Sequence, residues 1–294
     1  YNVSRGTKMK NRKRLFKAKD YLVSGKDFNV WWNETKGIGY TELPKGINLE
    51  EHYDTDEYIS HIQKPNKFFD LLYGTVREFM LLYKHRIIKI KKNKKALLDI
   101  GAGVGSFASF VKSKGFDVIA IEPNSKAREI CLEKNIKTYK SINYLPKKSL
   151  FSIVTLWHVF EHLPNLKTAL KVFSSHLEQD GKLVIAVPNI KSYDACYYKS
   201  YWAALDVPRH LWHFSTKGLV HLVEEQGFVF ISSHPLWFDS LYISYLSEKH
   251  QNNNFSFIRG VLIGLYSNIK ALFNQEYSSK VYVFKKKLFS GEIQ

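Results

Sequence analysis

The sequence predicts an α/β protein built around a mostly parallel sheet with helices on both faces. Between residues 96 and 232, short apolar runs alternate with segments whose apolar residues repeat every three or four positions. These apolar runs are continuous, as in strands that are buried on both faces. The 294 residues, 45% of them apolar, suffice for a large core and exclude intrinsic disorder.

The first 95 residues predict a small accessory lobe followed by a helix. The aromatic run Asp27–Trp32, with turn glycines nearby, favours short strands. From Phe68 to Tyr83 the apolar residues keep helical spacing, which is typical of an amphipathic helix. The basic run Lys84–Lys95 is interpreted as a solvated helix end and linker. We therefore expect an accessory lobe over residues 1–60 and a helical linker over residues 61–95.

The rest of the chain, residues 96–294, predicts one α/β domain. Asn124 begins one expected helix, and another covers Thr216–Gln226 with Gly227 as its cap. The Asp180-Gly181 pair predicts a turn. An aromatic insert, residues 233–279, is expected as a cap. The predicted strands are Ala96–Ile100, Val118–Ile121, Phe151–Leu156, Leu183–Val187, Phe228–Ile231 and Lys280–Phe284.

Charge and cysteine content limit the class of protein. The net charge of +17 favours contact with an anionic partner but does not identify it. Two cysteines, Cys131 and Cys196, exclude a disulfide framework and a four-thiolate zinc site and fit a reducing compartment. Neither an apolar run of 18 residues nor an apolar leader is present, so we expect a soluble, cytoplasmic protein.

A glycine-rich loop lies where the first strand of the predicted sheet turns into its first helix. Asp99-Ile-Gly101-Ala-Gly103-Val-Gly105 places three glycines at alternate positions, so a ligand can approach the backbone in the crevice at the strand ends. Glu122 ends the next strand, where nucleoside sites place a carboxylate for the ribose hydroxyls. Its charge would repel a 2′-phosphate. The loop and Glu122 together predict a nucleoside site.

Two cofactor classes use this layout. Residues 103–108 satisfy the dinucleotide fingerprint in its Ala-ending form, which keeps NAD as an alternative. Asp99 favours the other class, because a carboxylate inside the loop is poorly placed beside a pyrophosphate but well placed to receive an ammonium group. S-adenosyl-L-methionine combines a cationic amino-acid end with an adenosine end. The loop therefore favours S-adenosyl-L-methionine over NAD.

The segment from about residue 96 to residue 284 resembles the class I S-adenosylmethionine-dependent methyltransferases. The resemblance lies in Asp99–Gly105, in Glu122, in Phe151–Leu163 and in Gly181–Asn189, which are similar to the family's first motif, ribose acid, fourth strand and fifth strand. It implies a Rossmann-like sheet of seven strands whose last strand, Lys280–Phe284, runs antiparallel to the others.

Within that family, the ubiquinone-type O-methyltransferases are most similar. His158-Val-Phe-Glu161-His162 and Pro208–Phe214 carry this likeness. The resemblance implies that Trp157 and His158 lie near the adenine or the sulfonium. The expected cofactor contacts are Asp99, Gly101, Gly103, Gly105, Glu122, Pro123, Trp157, His158 and His61.

Histidines are the expected catalytic groups, because a hydroxyl acceptor must lose a proton and neutral imidazole accepts one near pH 7. His158 and His162 are the first candidates, followed by His210 and His213. The last two, with Arg209 and the aromatic residues around them, are about equally consistent with a structural corner.

A metal site is the main alternative for the histidine-rich segment. His158–His162 matches the H-x-x-E-H pattern of some zinc peptidases, but it follows a buried strand and Pro164 interrupts it. Ubiquinone-type relatives have an acid-rich version that resembles a divalent-ion site, whereas here His158 replaces an acid. We predict no metal. A further interpretation is that Glu161 and His162 cap the helix near Pro164.

The accessory lobe also resembles a known module. Residues 20–37 are similar to the zinc-ribbon lead-in of some bacterial members, but Trp32 and Thr35 stand where a cysteine pair is expected. We therefore predict a degenerate, metal-free lobe.

The resulting expectation is an enzyme that transfers a methyl group from S-adenosyl-L-methionine to a small molecule, preferably at oxygen, by in-line displacement and leaves S-adenosyl-L-homocysteine. RNA methylation is an alternative suggested by the net charge, although the sequence carries no recognised RNA-binding module. A catalytically silent binding or scaffold protein is a second alternative. The sequence does not predict the acceptor or the oligomeric state.

Overall fold

The structure is a computed structural model that describes residues 11–47, 49, 52, 67–88, 95–146 and 148–287. Its strands form one sheet of four and one of seven. The small sheet contains β1 (Arg12–Lys19), β2 (Asp27–Asn33), β3 (Ile38–Thr41) and β9 (Trp212–Phe214). The large sheet contains β4 (Ala96–Ile100), β5 (Asp117–Ile121), β6 (Lys137–Tyr139), β7 (Phe151–Trp157), β8 (Leu177–Pro188), β10 (Phe228–Pro235) and β11 (Ser279–Lys286).

The large sheet confirms the predicted fold class. Its strand order is β10-β11-β8-β7-β4-β5-β6, and β4 to β8 pair in parallel. β11 runs antiparallel to both of its neighbours, as expected of the last strand. The first six residues of β7 are buried, which explains its continuous apolar pattern.

Helices cover both faces of this sheet. The helices of the described ranges are α1 (Lys67–Ile87), α2 (Ser106–Ser113), α3 (Ser125–Glu133), α4 (Leu166–His176), α5 (Tyr193–Tyr198), α6 (Thr216–Glu224), α7 (Trp237–His250) and α8 (Ser256–Asn274). The apolar residues of α1 and α2 belong to one core cluster, and those of α4 and α6 belong to another. The side chains of Asn124, Asn165 and Ser215 cap α3, α4 and α6, so these helices begin where the sequence provides a cap.

The small sheet joins the N-terminal residues to a distant part of the chain. Its fourth strand, β9, pairs antiparallel with β3, so that Ile38 lies opposite Phe214. A bridge between Asn189 and Phe214 continues this contact toward the end of β8. The division into lobe, linker and α/β domain stays a prediction, because the residues around both proposed boundaries include stretches outside the described ranges.

The insert between β10 and β11 begins later than the sequence predicts and is helical. β10 extends to Pro235, and the aromatic stretch after it forms a pair of helices, α7 and α8. The turn predicted at Asp180-Gly181 is instead an irregularity within β8, where the pairing with β7 shifts. None of the helices within the described ranges is long and apolar enough to cross a bilayer.

Candidate functional site

The glycine loop connects β4 to α2, and its three glycines have different tasks. All three have positive φ angles, of 67°, 55° and 71°. A Cβ on Gly101 would lie 2.4 Å from a methyl carbon of Val159, and one on Gly105 would lie 2.8 Å from the sulfur of Cys131. A Cβ on Gly103 would meet nothing within 4 Å. The loop therefore packs through Gly101 and Gly105 and faces open space at Gly103.

Glu122 closes the same loop from the end of β5. Its Oε2 accepts a hydrogen bond from the amide of Gly103 at 2.8 Å, and its Oε1 accepts one from the amide of Asn124 at 2.9 Å. Burial raises the pKa of Glu122, against the opposing effect of these two amides. The neighbouring Pro123 is exposed, and its carbonyl accepts a hydrogen bond from Arg128. Each Glu122 oxygen keeps a further lone pair for a ligand.

Asp99 lies at the end of β4, buried beside the glycine loop. Its Oδ1 accepts a hydrogen bond from the hydroxyl of Thr155 at 2.7 Å. Burial raises the pKa of Asp99 to about 7, with Thr155 and the ammonium of Lys84 acting in the opposite direction and Glu122 in the same one. We call the space bordered by Asp99, Gly103 and Glu122 the glycine crevice.

Lys84 is a residue of this region that the sequence prediction missed. It lies on α1, within the run interpreted as solvated, but its Nζ is 4.5 Å from the ring centroid of Trp157. Burial lowers the pKa of Lys84, while Asp239 and Asp99 raise it. The available signal was helical spacing, since Lys84 follows Met80 by four residues on the packed side of α1. Trp157 itself has a buried Nε1 with no hydrogen-bond partner among the described residues.

A cavity of about 570 Å³ has His158 in its lining. Its described lining combines the end of β1 and the turn after it, the segment from Ser200 to His210, and one side of α7. The walls are largely apolar, with Trp202, Tyr242 and Ile243 among them, whereas His158 and Asp239 form a charged corner. The arrangement suits an amphipathic small molecule.

The surroundings of His158 disfavour its expected role as a neutral base. Its Nε2 lies 3.0 Å from a carboxylate oxygen of Asp239 and its Nδ1 lies 3.6 Å from one of Glu161. Burial lowers its pKa, but the two carboxylates outweigh burial and raise the pKa to about 9. At neutral pH His158 is therefore a cation and cannot accept a proton.

Burial makes His162 and His213 weak bases, which disfavours both as proton acceptors. Burial lowers the pKa of His162 to about 4 and that of His213 to about 3, so both rings are neutral at pH 7. The Nδ1 of His162 lies 2.9 Å from the carbonyl of Arg209, and the Nε2 of His213 lies 3.0 Å from the hydroxyl of Thr41. Neither is among the described residues that line the cavity.

His210 is the remaining histidine candidate, and it does line the cavity. Its Nδ1 is 2.9 Å from the carbonyl of Ala204 and carries the hydrogen of that contact. Its Nε2 lies 3.8 Å from Glu161 and 3.7 Å from Asp206. His61, which was expected to contact the cofactor, lies outside the described residues.

Glu161 is the centre of a buried group of possible metal ligands. One ligand atom each from Glu161, His162 and His210 lies within 4.8 Å of the others. Both Glu161 oxygens are buried without a hydrogen bond from the part of the chain that the structure describes, and the surrounding histidines lower its pKa against the effect of burial. Asn165 caps α4, so the interpretation of Glu161 and His162 as helix caps is wrong. The absence of a metal stays a prediction.

Comparison with known sequences gives methyltransferases. An uncharacterized methyltransferase of Alkaliphilus oremlandii is 38% identical over 96 residues, which cover 30% of this chain and 44% of that protein. A ubiquinone biosynthesis O-methyltransferase of Rickettsia conorii is 25% identical over 194 residues, which cover 54% and 64% of the two chains. The chain thus spans less than half the length of the first of these relatives.

Solved structures share the fold. Phosphoethanolamine N-methyltransferase 2 of Haemonchus contortus, in complex with S-adenosyl-L-methionine, superposes with a TM-score of 0.54 at 15% identity and covers 85% of this chain and 62% of its own. A SAM-dependent methyltransferase of Thermotoga maritima gives a TM-score of 0.50 at 19% identity and covers 74% and 93%. At these identities the likeness is one of fold.

A family model covers more of the chain than the first of these relatives does, and it shows the family. A family model described as a methyltransferase domain matches residues 72–233, more than half of the chain. The match includes the glycine crevice, the histidine-rich segment and His210, and ends before the α7–α8 insert. The chain belongs to the methyltransferase domain family, and the expected resemblance to S-adenosylmethionine-dependent methyltransferases is confirmed.

Proposed function

We propose that this protein transfers a methyl group from S-adenosyl-L-methionine to a hydroxyl group of a small molecule held in the 570 Å³ cavity. The observation that carries the proposal is the placement of two buried carboxylates, Asp99 and Glu122, beside the open side of Gly103. Lys84 links the cavity to the crevice, because Asp99 of the crevice and Asp239 of the cavity lining both raise its pKa. Lys84 contacts Trp157, the last residue of β7, and His158 of the cavity lining follows Trp157 in the chain.

The residues of the glycine crevice fit the cofactor. The Glu122 oxygens can accept from ribose hydroxyls while they keep their two amide donors. Asp99 offers a carboxylate for the ammonium end, and Lys84 and the free indole N–H of Trp157 supply cationic and donor groups for its carboxylate. Gly103, Gly101, Gly105 and Pro123 would border the ligand as backbone. When bound, S-adenosyl-L-methionine supplies a methyl group on a sulfonium leaving group.

We assign the uptake of the acceptor's proton to His210. Since its Nδ1 hydrogen faces the carbonyl of Ala204, Nε2 is the nitrogen that takes up the proton. Glu161 and Asp206 lie within 4 Å of Nε2 and would offset the resulting positive charge. The apolar walls exclude water and hold the acceptor in line.

Release of S-adenosyl-L-homocysteine, measured with matched sets of phenols, alcohols and amines, tests the acceptor class. We expect turnover with a hydroxyl compound and none with its amine counterpart. His210→Gln should lower that turnover by about 10²- to 10⁴-fold while cofactor affinity is kept. The exposed His221→Gln is the matched control and should change neither. Methylation of amines alone, or of RNA alone, would contradict the proposal.

A further inference from the structure

The last helix, α8, has its large apolar residues on the outside. Its buried residues are Gly260, Gly264, Ser267 and Ala271, all small, at i, i+4, i+7 and i+11. A second stripe with the same spacing starts two residues earlier, about 200° around the helix, and is 46–62% exposed. We call this stripe the outer face of α8. It contains Ile258, Leu262, Leu265, Ile269 and Leu272.

The packing against α7 fixes this orientation. A Cβ on Gly260 would lie 2.5 Å from the Cα of Tyr245, and one on Gly264 would lie 2.7 Å from the carbonyl oxygen of Ser240. The two helices therefore touch through their backbones, as in the small-xxx-small packing of helix pairs in bilayers. Leucine or isoleucine has no room on the inner side. The outer face cannot be buried by a rotation of α8.

Aromatic residues extend the apolar surface at both ends of α8. Phe255 precedes the helix and is 68% exposed, while Phe273 lies in its last turn and is 85% exposed. Soluble proteins rarely expose a contiguous apolar surface of this extent unless it binds a partner, a ligand or a membrane. The outer face of α8 is therefore a candidate binding surface.

The charges around the outer face have one sign. Within residues 237–274 the exposed charged side chains are Lys249, Arg259 and Lys270. Neither acid of this segment is exposed: Glu248 is fully buried and balances the charge of Arg259 at 3.3 Å, and Asp239 pairs with His158 in the cavity. The whole chain adds to this bias with a net charge of +17.

We propose that the outer face of α8 docks onto the surface of an anionic phospholipid bilayer. The apolar stripe would lie at the boundary between headgroups and acyl chains with the helix parallel to the surface, and Lys249 and Lys270 would meet anionic headgroups. A second copy of the chain fits less well, because two such faces in contact would bring like charges together. The proposal does not depend on methyl transfer.

Vesicle flotation of the full chain tests the docking. We expect the protein to bind vesicles of phosphatidylglycerol and phosphatidylcholine and to bind vesicles of phosphatidylcholine alone at least about tenfold more weakly, as headgroup charge contributes to such binding. Leu262→Glu combined with Ile269→Glu should lower binding to the anionic vesicles by about tenfold or more.

The control is Leu150→Glu, which changes an equally exposed residue at the opposite edge of the sheet. Leu150 and Ile269 are both 53% exposed, and Leu150 precedes the first residue of β7. It should bind vesicles like the wild type. Circular dichroism and light scattering on each variant establish fold and size. Equal vesicle binding by the double variant and the wild type would overturn the proposal. So would a wild type that does not float, or a dimer that the double variant dissolves.

Discussion

The glycine crevice and the 570 Å³ cavity are adjacent but are assembled in different ways. The crevice comes mainly from one continuous stretch, residues 99–124, in which strand ends and a helix start hold each group. The cavity combines parts of β1, His158, the segment from Ser200 to His210 and α7. A site formed by residues close together in the chain can be predicted from a sequence pattern, whereas a site formed by residues far apart in the chain cannot.

Their charges also differ. In the crevice, Glu122 is held by backbone amides and keeps acceptor capacity for a ligand. In the cavity, the positive charge of His158 is already balanced by the carboxylates of Asp239 and Glu161. Changes in the crevice should therefore act on cofactor affinity, and changes in the cavity should act on side-chain ionisation and turnover.

The largest effect is expected from Gly103→Val. The new side chain would project into the open space beside Gly103 where we place the ligand, so binding of S-adenosyl-L-homocysteine in isothermal titration should be lost. Gly115→Val is the matched control, because Gly115 also has a positive φ, of 84°, and open surroundings, but precedes β5 at the opposite edge. Both should lose about 1–2 kcal/mol of stability. Equal loss of binding in both variants would contradict the assignment of the crevice.

Glu122→Gln should have the next largest effect. The amide keeps the size of the side chain but replaces one of its two acceptor oxygens with a donor, which would oppose one of the two backbone amides. Cofactor affinity should fall about tenfold or more, the value of one hydrogen bond to a charged group. Glu129→Gln, on the exposed side of α3, serves as the control. Unchanged affinity in Glu122→Gln would remove the ribose assignment.

The raised pKa of Asp99 predicts a pH-dependent affinity. Since this pKa is about 7 without ligand, Asp99 ionises as the pH rises through neutrality. A cationic ligand end binds the ionised form, so affinity should increase by up to about tenfold between about pH 6 and pH 8. Titrations at several pH values measure it, and Asp99→Asn should make the profile flat. A flat profile in the wild type would contradict the ammonium contact.

Asp239→Asn tests the cavity and should spare the crevice. Removal of the carboxylate at 3.0 Å should move the pKa of His158 from about 9 toward 6.5, as followed by proton NMR. The ion pair that raises the folded-state pKa of His158 stabilises the folded protein fully below about pH 6.5. This stabilisation disappears as the pH rises through 9. The stability difference between wild type and variant should therefore shrink over that range. Asp117→Asn, an exposed change, is the control. A His158 titration that does not move would contradict the ion pair.

The sequence was sufficient for most of the large sheet because six of its strands have a local signal, whereas the three-residue edge strand β6 was not predicted. Continuous apolar strands, caps such as Asn124 and Ser215, and glycines with positive φ occur at the element ends. The same local signal indicated the crevice, since Asp99 and Glu122 each follow directly from a strand end. The separate packing tasks of Gly101 and Gly105 depend on Val159 and Cys131, which no motif specifies.

The ionisation of the histidines could not be predicted for a related reason. His158 is a cation because Asp239, 81 positions away in the chain, lies beside it. Lys84 looked solvated because a basic run surrounds it, yet α1 places it over Trp157. The outer face of α8 was hidden in the same way, because apolar spacing alone does not say which stripe of a helix is packed.

Isothermal titration of the wild-type chain with S-adenosyl-L-methionine, and with NADH in parallel, is the decisive test of the cofactor assignment. We expect one binding site for S-adenosyl-L-methionine, absent in Gly103→Val, and no heat from NADH. Binding of NADH alone, or silence with both ligands, would contradict it.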